Sequence, residues 1–143
     1  MPDTPESIRS VLGIDYGKKR IGIATGQTIT GTATPVTTLN QVNGEPDWAG
    51  LQQQIERWRP DALLVGIPYH TDGSESPMTE TVRAFCRTLQ QHFSQPIIEV
   101  NETLSSYEAE DLLRQHKKIG QHNKQEIDRM AAALIVQSWL DQH

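Results

Sequence analysis

Residues 11–25 read Val11-Leu12-Gly13-Ile14-Asp15-Tyr16-Gly17-Lys18-Lys19-Arg20-Ile21-Gly22-Ile23-Ala24-Thr25. Val11 to Asp15 is a short apolar run, and Arg20 to Thr25 follows it closely. Tyr16-Gly17-Lys18-Lys19 between them predicts a hairpin turn, with Gly17 available for positive φ. Ala33 to Leu39, rich in Thr and Val, predicts a third strand. Three neighbouring strands with short connections make an antiparallel meander.

Beyond residue 40 the pattern changes. Trp48, Leu51, Ile55 and Trp58 are spaced by three and four, which predicts a helix over Pro46 to Trp58, ended by Pro60. Ala62 to Ile67 is continuously apolar, as a buried parallel strand should be. A loop from Pro68 to Pro77 leads to a helix at about Met78 to His92, then a strand at Pro96 to Val100. Two more helices are expected near Ser106 to Gln115 and Lys124 to Asp141. The order β-β-β-α-β-α-β-α-α predicts an α/β protein: a mixed five-stranded sheet, meander first and parallel strands after, flanked by helices. That is the order of the RNase H-like fold. The 143 residues fit one domain, expected over 11–143 behind a flexible polar terminus of residues 1–10.

The composition, 36% hydrophobic and 22% charged, is that of a globular chain. No apolar run approaches the ~20 residues that span a bilayer, and Met1 to Ser10 lacks the apolar core of a signal peptide. Cys86 is the one cysteine, so no internal disulfide is expected; its Ala-Phe-Cys setting suits a packing role in a reducing cytoplasm. The net charge is −5, which sits poorly with nucleic acid as a partner. The positive residues are nevertheless clustered, at Lys18-Lys19-Arg20 and from Arg114 through Lys118 to Lys124.

Three acids stand where chemistry is done in α/β folds. Asp15 ends an apolar strand between Gly13 and Gly17, Glu102 leaves the end of the strand Pro96 to Val100, and Asp128 stands at the edge of the apolar stripe of the last helix. That helix has Asn123 as its expected N-cap and Ile127, Met130, Ala131, Leu134 and Ile135 as its expected buried stripe. Each acid alone has an ordinary reading: a turn cap, a loop glutamate, a solvated helix residue. Together they have a purpose, because hard divalent ions such as Mg²⁺ or Mn²⁺ take oxygen ligands and share their remaining positions with phosphates. No spaced His/Cys cluster suggests zinc.

Gly13 to Ala24 closely resembles the opening motif of the YqgF family. Val65-Gly66-Ile67-Pro68 with Asp72-Gly73-Ser74, Asn101-Glu102-Thr103-Leu104-Ser105 and Asp128-Arg129-Met130-Ala131-Ala132 agree with its later motifs, in order. Members of that family are described as proposed Holliday junction resolvases and as nucleases that trim the 5′ end of precursor 16S ribosomal RNA. The resemblance implies an RNase H-like nuclease whose metal-binding and catalytic acids are Asp15, Glu102 and Asp128. Its partner would be precursor rRNA or branched DNA, held by a monomer or a homodimer. Two departures stand out. Asn101 and Thr103 replace the family's usual Asp and Arg, and Tyr69-His70-Thr71 stands where the family more often has Leu-Asn-Met or similar, which makes His70 a candidate phosphate contact.

Two other classes compete. Sugar-kinase-type phosphotransferases also carry Gly-Ile-Asp-x-Gly, but are built from two lobes and are far longer. A binding-only module would keep the fold and lose the acids. Lys18, Lys19 and Arg20, on the turn beside Asp15, are the expected backbone contacts of a nucleic acid. Replacing Lys18 and Lys19 by Ala should therefore weaken binding and flatten the slope of log affinity against log salt by about 0.7–0.9 per lost phosphate contact. Filter-binding titrations at several salt concentrations measure that slope; an unchanged slope makes the pair mere solubilising charge.

Overall fold

Strand alternation sends successive side chains to opposite faces, so the apolar runs of this chain build an interior on each side of one sheet. The computed structural model describes residues 8–102 and 124–143. Strands β1 (Ser10–Tyr16), β2 (Arg20–Gln27) and β3 (Thr32–Asn40) are followed by helix α1 (Trp48–Trp58), β4 (Ala62–Ile67), helix α2 (Pro77–His92), β5 (Ile97–Asn101) and helix α3 (Lys124–Asp141). The sheet order is β3-β2-β1-β4-β5. β1 with β2 and β2 with β3 are antiparallel, whereas β1 with β4 and β4 with β5 are parallel. This is the expected mixed RNase H-like sheet. The helix expected near 106–115, the Asn123 cap, and Thr103, Arg114 and Lys118 lie outside the described residues.

On one face Leu12, Ile14, Ile21, Ile23, Leu63 and Val65 pack against Leu51 and Ile55 of α1 and Val82, Phe85 and Leu89 of α2. On the other, Val11, Ala24, Ala62 and Leu64 meet Ala132, Ala133, Ile135, Val136 and Trp139 of α3. The α3 stripe is thus shifted from the expected one. Ile127, Met130 and Leu134 are only half-buried, and the alanines take the closest approach to the sheet.

The element ends have local causes. α1 begins two residues later than its periodicity suggests, because the Asp47 carboxylate accepts the Gly50 N–H at 2.9 Å and caps the helix. It stops where Arg59 turns left-handed at φ 47° and donates its N–H to the Ile55 carbonyl. In α2, Pro77 follows a Ser76/Thr79 capping box. Of the terminus expected to be loose over residues 1–10, residues 1–7 lie outside the described residues and residues 8–10 are held in place. Ile8 is buried, and Asp61 accepts the N–H groups of Arg9 and Ser10 at 2.8 and 3.1 Å. Gly17 also differs from expectation, since it is not among the positive-φ glycines. Its lack of a Cβ instead admits the Arg20 carbonyl, which a Cβ would meet at 2.8 Å.

Cys86 is buried in the α1/α2 core, and desolvation with Glu99 nearby pushes its thiol up to about 11, as suits a packing residue. Among the described residues no helix is long and apolar enough to cross a membrane.

α3 crosses β1 and β2 over glycines. A Cβ on Gly22 would run into the Asp128 carbonyl, one on Gly26 into Val136, and one on Gly13 into Val136 and to 3.0 Å from the Ala132 carbonyl oxygen. Gly22→Ala should lower stability by about 1–3 kcal/mol, the usual cost of overpacking, because backbone rather than a pliable side chain is in the way. Urea denaturation gives the midpoint; a midpoint equal to the parent's would mean that α3 stands off the sheet more than described.

Candidate functional site

The parallel register brings three chain segments to one edge. Ile14 of β1 lies beside Val65 of β4, and Ile67 of β4 beside Asn101 of β5. Asp15, Gly66 and Glu102 therefore emerge at the same end of the sheet, the carboxyl end of its parallel strands. The Glu102 N–H is tied to the Ile67 carbonyl at 3.1 Å, which prolongs the β4–β5 ladder by one step. By alternation Asp15 faces α3, as its neighbours Gly13 and Val11 do. Opposite it on β2 stands Gly22, where α3 comes closest and delivers Asp128.

Asp15 is only 9% exposed. Burial, then the Glu102 charge and a hydrogen bond between the two carboxyl groups, then the Asp128 charge, hold its pKa well above the ordinary 3.8. A hydrogen bond between two carboxyl groups requires one shared proton, so the metal-free site stores like-charge repulsion that a cation would relieve. Asp15 is therefore engaged by Glu102 and, more weakly, by Asp128. Glu102 reaches Asp15 across Gly66, where a Cβ would lie 2.7 Å from the Glu102 carboxyl carbon.

Asp128 is engaged differently. Arg20 donates from Nε to its Oδ2 at 2.6 Å, with both side chains 23% exposed. Among the described residues no group of three or more ligand side chains is already gathered round an ion-sized gap. Asp15 and Glu102 form a close pair, and Asp128 is held beside them by a guanidinium. The donor set is all oxygen, and its first two members repel each other, which fits a hard divalent ion better than any soft metal.

Lys18 and Lys19 are exposed on the turn that follows Asp15, while Arg20 is turned inward to Asp128. His70 lies on the loop leaving β4 at this same end. Its backbone closes a turn with Gly73 and Ser74, and its ring is exposed in the field of Asp72. Asn101 falls on the opposite face from Glu102 and lines a cavity of about 310 Å³ with Ile67, Tyr69, Gly73, Glu99 and Val100. The departure at Asn101 therefore removes no carboxylate from the Asp15 face. Three features escaped the sequence reading: Gly22 and Gly66, which admit Asp128 and Glu102, and Arg129, whose buried Nε has no hydrogen-bond partner among the described residues. The glycines were signalled, since an interior strand glycine marks close approach.

Known proteins resemble the chain both in sequence and in fold. A family model described as "RuvX: Holliday junction resolvase" matches residues 9–142. A protein of Pseudomonas savastanoi named "Putative pre-16S rRNA nuclease" is 42% identical over 139 residues, covering 96% of this chain and 94% of that protein. One of the same name from Azotobacter vinelandii is 41% identical over 133 residues, covering 92% and 93%. Among solved structures, Thermus thermophilus RuvC in complex with a Holliday junction substrate superposes with TM-score 0.56 at 14% identity, over 94% of each chain. The fowlpox virus Holliday junction resolvase does so with TM-score 0.57 at 12% identity, over 94% of this chain and 99% of its own. These structural likenesses establish the shared RNase H-like fold.

The Asp15 shift has a sign that can be tested without metal. An acid whose folded pKa lies above its unfolded value binds more protons folded than unfolded, so stability falls as pH rises between the two. In chelator, the melting temperature should accordingly carry a component that declines as pH climbs above the ordinary 3.8. Asp15→Asn should remove that component and melt at or above the parent at neutral pH. Melting curves across pH check it; parallel profiles for the two proteins would refute the shared-proton pair.

Proposed function

The chain belongs to the RuvX/YqgF family, and from that premise we propose that it is a divalent-metal-dependent nuclease that trims the 5′ end of precursor 16S ribosomal RNA. The observation that carries this reading is the contact of the Asp15 and Glu102 carboxyl groups with Asp128 beside them, at the three positions where the family resemblance sets its acids.

Asp15, Glu102 and Asp128 would hold Mg²⁺ or Mn²⁺. When bound, the ion supplies positive charge for the phosphate oxygens and lowers the pKa of water for attack on phosphorus. The rest falls to side chains of the protein. Lys18 and Lys19, exposed on the turn after β1, would take the phosphate backbone and bring the scissile bond to the acids. Burial of Asp15 keeps bulk water from its carboxyl group, and the glycine contacts under α3 hold Asp128 in place. His70, on the β4–α2 loop, is a candidate second contact to the strand.

The relatives' name favours the RNA substrate, and the family model's own description favours a second reading, cleavage of branched DNA. The acids serve either, because both reactions are phosphodiester hydrolyses. The phosphotransferase alternative is disfavoured by the full-length family match.

Asp15→Asn should abolish cleavage while the protein stays folded, because Asn keeps the shape and loses the charge. Side-by-side assays on a precursor 16S RNA 5′ segment and a four-way DNA junction, each with Mg²⁺ and with Mn²⁺, decide activity and substrate together. Glu102→Gln and Asp128→Asn should show a smaller metal-induced melting shift than the parent, since that stabilisation follows RT ln(1 + [L]/Kd). Full cleavage by folded Asp15→Asn would overturn the assignment.

A further inference from the structure

The contact between Arg20 and Asp128 joins a basic residue of the nucleic-acid turn to one of the three acids. We infer that Arg20 is a latch on Asp128, opened by a backbone phosphate, which makes metal and nucleic acid bind cooperatively. The inference rests on the metal-dependent reading above.

Several observations converge on it. Arg20 spends Nε on Asp128 Oδ2 at 2.6 Å, so a lone pair and a negative charge that a cation needs are already taken. A guanidinium so close also opposes a second cation by direct repulsion. The latch is not sealed, because both side chains keep about a quarter of their surface in solvent at 23% exposure. Among the described residues only one arm of the fork is used, the Nε–H given to Asp128. A phosphate offers that fork two parallel bonds and a formal charge, a better match than one carboxylate oxygen. The exposed Lys18 and Lys19 immediately precede Arg20 on the same turn, so a backbone they attract arrives beside it. Opening the latch moves no covalent bond: the guanidinium passes from carboxylate to phosphate, and Asp128 is left to join Asp15 and Glu102. The consequence is that the ion is held well only when a strand is present.

The opposite role is as concrete. An arginine that orients Asp128 towards the ion would raise metal affinity, and its loss would cost about 10–100-fold in binding. The two roles predict opposite signs. Mn²⁺ binding to the full chain can be followed by electron paramagnetic resonance in samples mixed on ice and frozen, alone and with a saturating single-stranded RNA. Ions condensed on the RNA are subtracted with an Asp15→Asn sample. In the parent, RNA should tighten Mn²⁺ binding by a factor within the usual 5–150-fold range of coupled sites, and Mn²⁺ should tighten RNA binding by the same factor. Arg20→Gln, which keeps much of the stem and loses the charge, should bind Mn²⁺ without RNA nearly as tightly as the parent does with it. Its coupling should fall to near one-fold.

Lys18→Gln removes a nearby charge that makes no such contact, and it should retain the coupling; equal loss in both variants would reduce the latch to general electrostatics and overturn it. Weaker Mn²⁺ binding in Arg20→Gln would overturn it in favour of orientation. Arg20→Lys guards against misfolding, since a lysine can still pair with Asp128 and should keep most of the coupling. The failures are separable. Parent protein that cleaves with metal but shows no coupling defeats the latch alone, whereas parent protein that binds Mn²⁺ at Asp15 and cleaves neither RNA nor DNA defeats the nuclease reading alone.

Discussion

Helix α3 lies on β1 and β2 with almost nothing between its backbone and theirs. At Gly22 the Asp128 carbonyl fills the space a side chain would occupy, and at Gly13 and Gly26 the methyl groups of Val136 do so. Ala131, Ala132 and Ala133 complete the contact from the helix side. Such close packing leaves little latitude in spacing, because protein interiors are packed at crystal-like density. The position of Asp128 is a consequence of this seating. Were α3 lifted by the width of a methyl group, its acid would leave the neighbourhood of Asp15 before any functional residue had changed.

Against that closeness stands electrostatic cost. Asp15 is buried beside another carboxyl group, in a place where a hydrophobic residue would have packed more stably. The sheet tolerates it because the pair can share a proton, and because the third acid is neutralised by Arg20. Close carboxyl groups of this kind repel one another, and a positive charge beside them relieves that repulsion. The net charge of −5 is consistent with the same picture: some of the negative charge is gathered at one edge of the sheet, and the exposed Lys18 and Lys19 stand immediately beside it.

The two interiors divide the labour. The α1/α2 side is built from large side chains such as Leu12, Ile14, Leu63 and Phe85. The α3 side mixes large residues such as Leu64, Ile135 and Trp139 with alanines and strand glycines, and those small residues set its distances. Residues of a single strand serve both, alternating along β1, so the stability of one face supports the precision of the other.

The order of the described elements, the meander followed by parallel strands, and the placing of Asp15 and Glu102 at strand ends were legible in the sequence, because period and composition are local properties and Gly13 to Ala24 is a distinctive motif. Helix ends were less legible: Asp47 and Ser76 override periodicity by capping. Residues 8–10 looked like a loose terminus because the carboxylate that anchors Arg9 and Ser10 belongs to Asp61, some fifty residues away. Gly17 looked like a turn glycine, and its real constraint is a carbonyl across the turn. Arg20 stood apart from Lys18 and Lys19 in the sequence only by its place at the strand start, and the folded chain alone gives it Asp128 as a partner, because Asp128 is 108 residues distant in sequence and arrives on a helix. By itself, then, the sequence determined which residues carry charge and which strand ends present it. The tertiary structure alone decided which of those charges meet, since a meeting depends on how closely α3 lies over glycines that no local pattern assigns to it.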